Sequence, residues 1–172
     1  MKKVLVTGVA GFLGSHLAEK LVNLKNKVVG IDNLIGGYPD NIPKNIEFFN
    51  TDCCNLKKMN ELMAGVDVVY HCAATAHEGL SVFSPYEITK NNYLASVSVF
   101  SAAISNKVQR IIFCSSMARY GSQKTPFYET MTPKPIDPYA ISKVAAEDVL
   151  INLCELNGIE WVIAVPHNII GP

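Results

Sequence analysis

The feature that most constrains the fold is a set of three glycines between a short apolar run and a helical pattern. Residues 3–6 (KVLV) predict a strand, and Gly8, Gly11 and Gly14 follow at intervals of three residues. An amphipathic pattern of leucines then begins and extends to residue 24. A glycine turn between a strand and a helix is typical of α/β proteins that bind dinucleotides. We call residues 7–14 the glycine turn.

Each glycine has a physical role in such a turn. Gly8 can adopt the positive φ of a tight turn, and Gly11 lets the backbone approach a pyrophosphate. Gly14 allows the helix to pack closely on the strand. The unpaired N–H groups at the helix start then lie near Phe12 and Leu13, where the helix dipole adds roughly half a positive charge. The alternative is a glycine turn with a purely structural role.

Acidic residues after the next two strand patterns indicate how the adenosine end of a dinucleotide is bound. Asp32 ends the second pattern, where a carboxylate accepts hydrogen bonds from ribose hydroxyls and repels a 2′-phosphate. This position favours NAD over NADP, unless Asp32 merely caps a loop. Asp52 follows the third pattern and either contacts the adenine or serves as an ordinary helix N-cap.

The rest of the chain alternates between strand and helix patterns. The strand patterns cover residues 3–6, 28–31, 46–49, 66–74, 110–115 and 159–165. The helix patterns cover residues 12–24, 56–63, 85–105 and 139–157, and the segments 36–41, 75–81 and 120–137 have the composition of loops. Such alternation predicts an α/β fold, a Rossmann-type doubly wound parallel sheet, in one domain spanning residues 1–172.

Composition excludes several classes of partner. Fifteen basic residues balance fifteen acidic ones, so no overall field favours nucleic acid or an anionic membrane. No apolar stretch is long enough to cross a bilayer, and no signal peptide is evident. The five cysteines include no C-x-x-C pair, which favours reduced thiols in a cytoplasmic protein over disulfides or a metal site.

A tyrosine and a lysine four residues apart predict an acid–base group. Tyr139 and Lys143 share one face of a predicted helix, and the ammonium is expected to lower the tyrosine pKa by about two units. Ser115 and Ser116 end the fifth strand pattern, and ligands collect at the carboxyl ends of parallel strands. The same spacing occurs at Tyr86/Lys90 and Tyr120/Lys124, but neither of those pairs follows such a serine.

Together these motifs resemble those of the extended short-chain dehydrogenase/reductases, and within them the NAD-dependent nucleotide-sugar epimerases and dehydratases. The resemblance covers essentially all 172 residues, with the motifs in the expected order. The motifs that carry it are Thr7-Gly8-x-x-Gly11-x-x-Gly14, Asp32-Asn33, His71-x-Ala73-Ala74, Asn92, Ser115-Ser116-x-Ala118-x-Tyr120-Gly121 and Tyr139-x-x-x-Lys143.

The resemblance also implies a role for each matching residue. Tyr139 is the implied base, Ser116 steers the sugar hydroxyl, and Lys143 holds the nicotinamide ribose and polarises the tyrosine. Asn168 is implied to reach the phosphate of a nucleotide sugar. Besides Gly8, Gly11, Phe12, Leu13, Gly14, Tyr139 and Lys143, the implied cofactor contacts are Asp32, Asn33, Leu34, Gly36, Gly37, Asp52, Cys53, Cys72, Ala73, Ala74, Ala76, Asn92, Ser115, Pro166 and His167.

The activity implied is epimerisation of a nucleotide sugar, with a UDP-hexose at C4 as the favoured substrate, within nucleotide-sugar metabolism and polysaccharide biosynthesis. The family's 4,6-dehydratases carry Asp-Glu where this chain has Met117-Ala118, so dehydration is disfavoured. Val165 and Ile170 replace an Arg and a Tyr that are common among relatives, so the identity of the sugar is not determined by the resemblance. The alternatives are a nucleotide-sugar reductase or dehydrogenase with the same Ser/Tyr/Lys group, and a catalytically silent NAD-binding module.

Three further expectations concern the chain as a whole. Members of the family continue into a smaller substrate-binding domain, so the sequence favours a fragment over a naturally short protein, with poor sugar turnover if it is complete. Helices at 85–105 and 139–157 predict a homodimer interface by resemblance. His71 is expected to be a packed core histidine rather than an acid or base, while His77 and Glu78 either contact substrate or lie in a solvated loop.

Overall fold

The computed structural model describes residues 1–171, which form one six-stranded parallel sheet. The strand order is β3-β2-β1-β4-β5-β6, so the chain direction across the sheet reverses between β1 and β4. The strands are β1 (Lys3–Thr7), β2 (Lys27–Asp32), β3 (Glu47–Asn50), β4 (Val68–His71), β5 (Arg110–Cys114) and β6 (Glu160–Ala164). The predicted Rossmann-type sheet is confirmed. In such sheets the reversal point opens a crevice at the carboxyl ends of the strands.

Helices cover both faces of the sheet. They are α1 (Phe12–Asn23), α2 (Leu56–Met63), α3 (Glu78–Ser81), α4 (Pro85–Ile88), α5 (Ala95–Ser105) and α6 (Pro138–Asn157). Short 3-10 turns occur at Pro39–Asn41 and Met117–Tyr120. Among residues 1–171, none of the helices has both the length and the apolar character needed to span a bilayer.

The two faces of β1 show why the strand patterns are continuously apolar. Val4 and Val6 pack with Ala18 of α1 in one cluster. Leu5 points to the opposite face and packs with α2, α5 and α6 residues such as Phe100 in a larger cluster. Because side chains alternate along a strand, burial on both faces requires an apolar residue at every position.

Three differences from the sequence prediction lie near the cleft. The predicted strand 66–74 is shorter, because the chain leaves the sheet after His71 and the following small residues line a cleft. The predicted helix 85–105 is interrupted by a π-helical turn at Thr89–Leu94. The predicted loop 75–81 contains the one-turn helix α3. The sequence patterns report only neighbouring residues, whereas the ends of these elements depend on contacts with residues that are distant in sequence.

Candidate active site

A cleft of about 1000 Å³ opens at the carboxyl ends of the strands. Most residues that the sequence singled out line it, which brings the glycine turn and the Ser/Tyr/Lys group to one space. The predicted residues on its wall are Gly8, Gly11, Phe12, Leu13, Gly14, Asp32, Asn33, Gly36, Gly37, Asp52, Cys53, Cys72, Ala73, Ala74, Ala76, Ser115, Ser116, Tyr139, Lys143, Pro166, His167 and Asn168.

Two predicted cofactor residues do not line the cleft. Leu34 has a positive φ of 60°, and its N–H donates to Asp32 Oδ1 at 2.8 Å. Asn92 is buried behind the wall, where its side chain accepts from Thr75 N at 2.7 Å and donates to Thr75 O at 3.2 Å. Both residues therefore shape the wall through hydrogen bonds with neighbouring residues, Asn92 lies beneath the lining residues as expected, and the predicted cofactor contacts of both stay predictions.

The sequence did not predict several residues that also line the cleft. These are Thr51, Thr75, Asn91, Ala95, Cys114, Met117 and Ile169. His77 and Glu78, which were left open between a substrate and a solvent role, line it as well. Cys114 could have been found, since it directly precedes Ser115 at the carboxyl end of β5.

The glycine turn has almost no room for side chains. A Cβ on Gly14 would lie 2.0 Å from the carbonyl oxygen of Gly8. Gly8 has a φ of +72°, and its N–H donates to Ile31 O at 2.8 Å. Helix α1 starts at Phe12 after Gly11, which offers no side-chain cap. The first N–H groups of α1 are therefore left without intrahelical acceptors at the edge of the cleft.

Asp32 is buried and fastens the glycine turn to the end of β2. Its Oδ2 accepts from Ala10 N at 2.9 Å, while Oδ1 accepts from Leu34 N. The capping alternative thus describes real contacts, but each carboxylate oxygen keeps a second lone pair for a ligand. Asp52 accepts from Cys54 N at 2.7 Å. The N-cap alternative for Asp52 is wrong, because Asn55 caps α2.

The start of α6 positions the tyrosine and the lysine. Asp137 caps the helix by accepting from Ala140 N at 2.8 Å, and Pro138 occupies its first turn, where proline's missing N–H costs nothing. Tyr139 and Lys143 are both buried. The Lys143 ammonium donates to Cys114 O at 2.7 Å and lies 4.9 Å from the centre of the Phe113 ring.

The predicted lowering of the Tyr139 pKa by Lys143 is wrong in this structure. Burial raises the pKa of Tyr139, a hydrogen bond with Ser116 opposes the rise, and the negative charges of Glu78 and Asp137 add to it. The Lys143 ammonium instead donates to the Cys114 carbonyl. Burial also lowers the pKa of Lys143 to about 8. Lys143 therefore loses its positive charge at a lower pH than an exposed lysine.

A buried ion pair behind the cleft anchors the end of β5. The Ser115 hydroxyl donates to Glu147 Oε1, and Glu147 Oε2 lies 3.0 Å from Arg119 Nη1. Sequence reasoning missed both charged residues, since nothing in a local pattern links position 119 to position 147. The Ser115 hydroxyl is therefore already hydrogen-bonded to the protein. Ser116 Oγ accepts from Ala118 N at 3.1 Å, and Ser116 also forms a hydrogen bond with Tyr139.

His71 is a packed core histidine, as expected. Its Nδ1 lies 2.6 Å from Thr7 Oγ1, and its Nε2 lies 2.9 Å from Ser96 Oγ. The ring stacks on Phe113. Burial first, and the Lys143 charge second, lower the pKa of His71 to about 3. The imidazole is therefore neutral in the fold and joins β1 to α5.

The depressed pKa of His71 predicts a loss of stability in mild acid. Its unfolded-state pKa is about 6.5, so between about pH 6.5 and pH 3 the unfolded chain binds the extra proton and is favoured. The stability associated with the neutral buried imidazole is fully present above about pH 6.5. As the pH is lowered from about 6.5 to 3, the free energy of unfolding falls by up to about 1.4 kcal/mol per pH unit. Urea unfolding of wild type and His71→Gln between about pH 7.5 and 4.5 measures it. A variant with an undiminished slope would contradict the assignment.

The sheet order and the cleft define a Rossmann-type α/β domain with a Ser/Tyr/Lys group at the carboxyl ends of its strands. The model of the NAD dependent epimerase/dehydratase family matches residues 4–172, and the chain therefore belongs to this family. The predicted family and its NAD cofactor are thus confirmed. Among residues 1–171, no three His, Cys, Asp or Glu side chains are grouped to hold a metal ion.

Curated relatives include the UDP-glucose 4-epimerase of Streptomyces lividans, with 32% identity over 98% of this chain and 53% of the relative. A putative UDP-glucose 4-epimerase of Methanocaldococcus jannaschii has 34% identity over 98% of this chain and 56% of the relative. The predicted likeness to nucleotide-sugar epimerases is confirmed. The chain spans about half the length of these curated relatives.

Solved structures of UDP-sugar 4-epimerases share the fold of this chain. The UDP-N-acetylglucosamine 4-epimerase from Methanobrevibacter ruminantium, in complex with UDP-N-acetylmuramic acid, superimposes with a TM-score of 0.94 and 34% identity, over 99% of this chain and 56% of that one. The Thermus thermophilus UDP-glucose 4-epimerase complex with NAD has a TM-score of 0.88 and 34% identity, over 94% of this chain and 53% of that one.

Proposed function

We propose that the chain binds NAD and forms the cofactor-binding and catalytic part of a nucleotide-sugar 4-epimerase acting on a UDP-hexose. The observation that carries the proposal is that the glycine turn and the Ser116/Tyr139/Lys143 group line one cleft. A dinucleotide held on the turn and extended across the cleft would have its reactive ring on the side of Tyr139. The relatives named as UDP-sugar 4-epimerases support the substrate class.

The residues present fit NAD. The glycine turn is closed to side chains but leaves backbone N–H groups at the start of α1 for a pyrophosphate. Asp32 borders the cleft with spare acceptor capacity for the adenosine ribose, and Asp52 and Cys53 lie on the adenine side. Further along, Cys72, Ala73, Ala74 and Ala76 form a wall of small side chains. Pro166 and His167 are assigned to the nicotinamide end.

The Ser/Tyr/Lys group handles the proton. Tyr139 is placed to remove a proton from a sugar hydroxyl as general base. Ser116 bonds the same phenol and favours its ionised form, and Lys143 holds its ammonium in the same cleft wall. NAD held on the glycine turn and by Asp32 would supply the reversible hydride acceptance that epimerisation requires. Asn168 is assigned to the nucleotide phosphate.

Two experiments test the function. Calorimetric titration of the chain with NAD should give saturable binding, and none would overturn the proposal. Mass spectrometry of what copurifies with the protein should identify NAD and a UDP-sugar. A retained cofactor and interconversion of UDP-glucose and UDP-galactose mark an epimerase, whereas stoichiometric exchange of free NADH marks a reductase. NAD binding without any sugar chemistry, even with Tyr139 intact, marks a silent module.

The cofactor preference is tested at Asp32. We expect Asp32→Ala to lower the ratio of NAD to NADP affinity by at least about tenfold, since ribose hydrogen bonds are lost and repulsion of a 2′-phosphate is relieved. Calorimetric titration with each cofactor measures the ratio, which is insensitive to a general loosening of the turn. Asp40→Ala, which removes an exposed carboxylate, is the matched control. Equal losses for the two cofactors would discredit the ribose assignment.

We further propose that the protein acts in the cytoplasm, where nucleotide sugars and reduced thiols fit this chemistry, and that it forms a homodimer through residues 85–105 and 139–157. Exposed apolar side chains on these segments support the dimer: Tyr86, Leu94, Ile141 and Leu156 are each more than half exposed. Sedimentation at micromolar concentration is expected to show a dimer, and monomer alone would remove this part of the proposal.

A further inference from the structure

Two thiols at the carboxyl ends of β4 and β5 lie side by side in the cleft wall, with Cys72 directly after β4 and Cys114 as the last residue of β5. The sulfur atoms of Cys72 and Cys114 are 3.8 Å apart, and both residues are partly exposed and line the cleft. We propose that this pair is an oxidation site, at which hydroperoxides convert two free thiols into a Cys72–Cys114 disulfide. The site is distinct from the proton chemistry assigned to Tyr139.

The sheet holds the two cysteines in a geometry that a disulfide can adopt. His71 of β4 pairs with Phe113 of β5 in parallel register, so the cysteines that follow them face each other at the next position. Neighbouring strands lie about 4.8 Å apart, within the span of about 4.4–6.8 Å between Cα atoms that a disulfide tolerates. The sulfurs need to approach by less than about 2 Å to reach the bonding distance of about 2.05 Å.

The surroundings make one of these thiols the reactive one. The neighbouring Cys72 sulfur and the positive charge of Lys143, whose ammonium donates to Cys114 O at 2.7 Å, lower the pKa of Cys114 below its usual value, while burial opposes them. Burial instead raises the pKa of Cys53 to about 12, of Cys54 to about 11 and of Cys154 to about 11. Since the thiolate is the nucleophile, Cys114 is the residue that attacks near neutral pH.

Both steps balance with a hydroperoxide as the oxidant. The Cys114 thiolate attacks one peroxide oxygen, so that an S–O bond forms, the O–O bond breaks, and the departing oxygen takes up a proton and leaves as water when the peroxide is H₂O₂. Cys72 then attacks the sulfenic sulfur. The S–S bond forms, the S–O bond breaks, and the hydroxide leaves with the Cys72 proton as a second water. Two electrons pass from the cysteines to the peroxide.

Intact mass and peptide mapping of the chain after hydrogen peroxide treatment test the proposal. We expect a loss of about 2 Da, reversed by dithiothreitol, and a cross-linked peptide that joins residues 72 and 114. Cys72→Ser should abolish the bridge and leave sulfenic or higher acids on Cys114, whereas Cys54→Ser should form the bridge at the wild-type rate. A bridge between Cys53 and Cys54, or no bridge at all, would overturn the assignment.

A second measurement needs no variant and so does not depend on the folding of one. At about pH 7, brief iodoacetamide treatment of wild-type protein should label Cys114 at least about tenfold faster than Cys54 or Cys154. Equal labelling would contradict the reactivity argued for Cys114. We also expect the Cys72–Cys114 disulfide to form more slowly with saturating NAD, because both cysteines line the cleft that NAD would occupy. Only this expectation rests on the proposed function. A bridge that forms equally fast with NAD keeps the oxidation site and counts against the cofactor placement.

Discussion

Replacing Tyr139 with Phe is expected to lower sugar turnover by at least about a hundredfold while NAD affinity changes by no more than a few-fold. The substitution removes only the phenolic oxygen, so the packing of the first turn of α6 is retained. NAD contacts are expected mainly along the glycine turn, which the substitution does not touch. The proton from the sugar hydroxyl, in contrast, loses its acceptor, the phenol that bonds Ser116.

Interconversion of UDP-glucose and UDP-galactose and calorimetric titration with NAD measure the two effects. Tyr86→Phe is the matched control, because Tyr86 has the same spacing to Lys90 but is 76% exposed. The control should retain full activity. If Tyr139→Phe turns over at the wild-type rate, the assigned base is wrong, although NAD binding would stand. If both variants lose activity equally, the loss reflects the helices and not the phenol.

The raised pKa of Tyr139 gives this prediction a further consequence. A phenol held mainly in its neutral form by burial is an inefficient base until its surroundings change. The structure provides one lowering influence, the Ser116 hydrogen bond. Ser116→Ala is therefore expected to act through the tyrosine, shifting the acidic limb of the activity–pH profile to higher pH rather than merely reducing its height.

The sequence predicted best what depends on neighbours along the chain. Gly8 and Gly14 could be assigned because the turn conformation and the helix packing are set within a few residues of each other. The pairing of Tyr139 with Lys143 on one helix face is likewise local. The class of sheet followed from strands and helices that alternate along the whole length, a pattern that needs no knowledge of side-chain directions.

What the sequence could not predict depends on contacts between distant segments. The direction of the Lys143 ammonium is set by the Cys114 carbonyl at the end of β5, and the tyrosine pKa depends on burial that no helix pattern reveals. The pairing of Arg119 with Glu147 requires a 3-10 turn and α6 to lie against each other. Asp52 resembles an N-cap in sequence, but the chain makes one more turn before α2 begins at Leu56.

The second large effect is expected at Gly14. We predict that Gly14→Ala lowers the free energy of unfolding by about 2–3 kcal/mol and weakens NAD binding by at least about a hundredfold. The added Cβ would lie 2.0 Å from Gly8 O, a backbone atom that cannot rotate away. The start of α1 must therefore move outward by about 1 Å, since atoms in a packed interior do not overlap. That shift displaces the N–H groups that face the pyrophosphate.

Gly79→Ala is the matched control, because a Cβ on Gly79 in α3 meets nothing within 4 Å. Alanine in an exposed helix is neutral to stabilising, so this variant should keep both unfolding free energy and NAD affinity. Urea unfolding without ligand and calorimetric titration with NAD separate the two effects at Gly14. Loss of stability with unchanged NAD affinity would mean that the turn packs α1 but does not hold the pyrophosphate. An unchanged free energy of unfolding would contradict the close approach of α1 to Gly8.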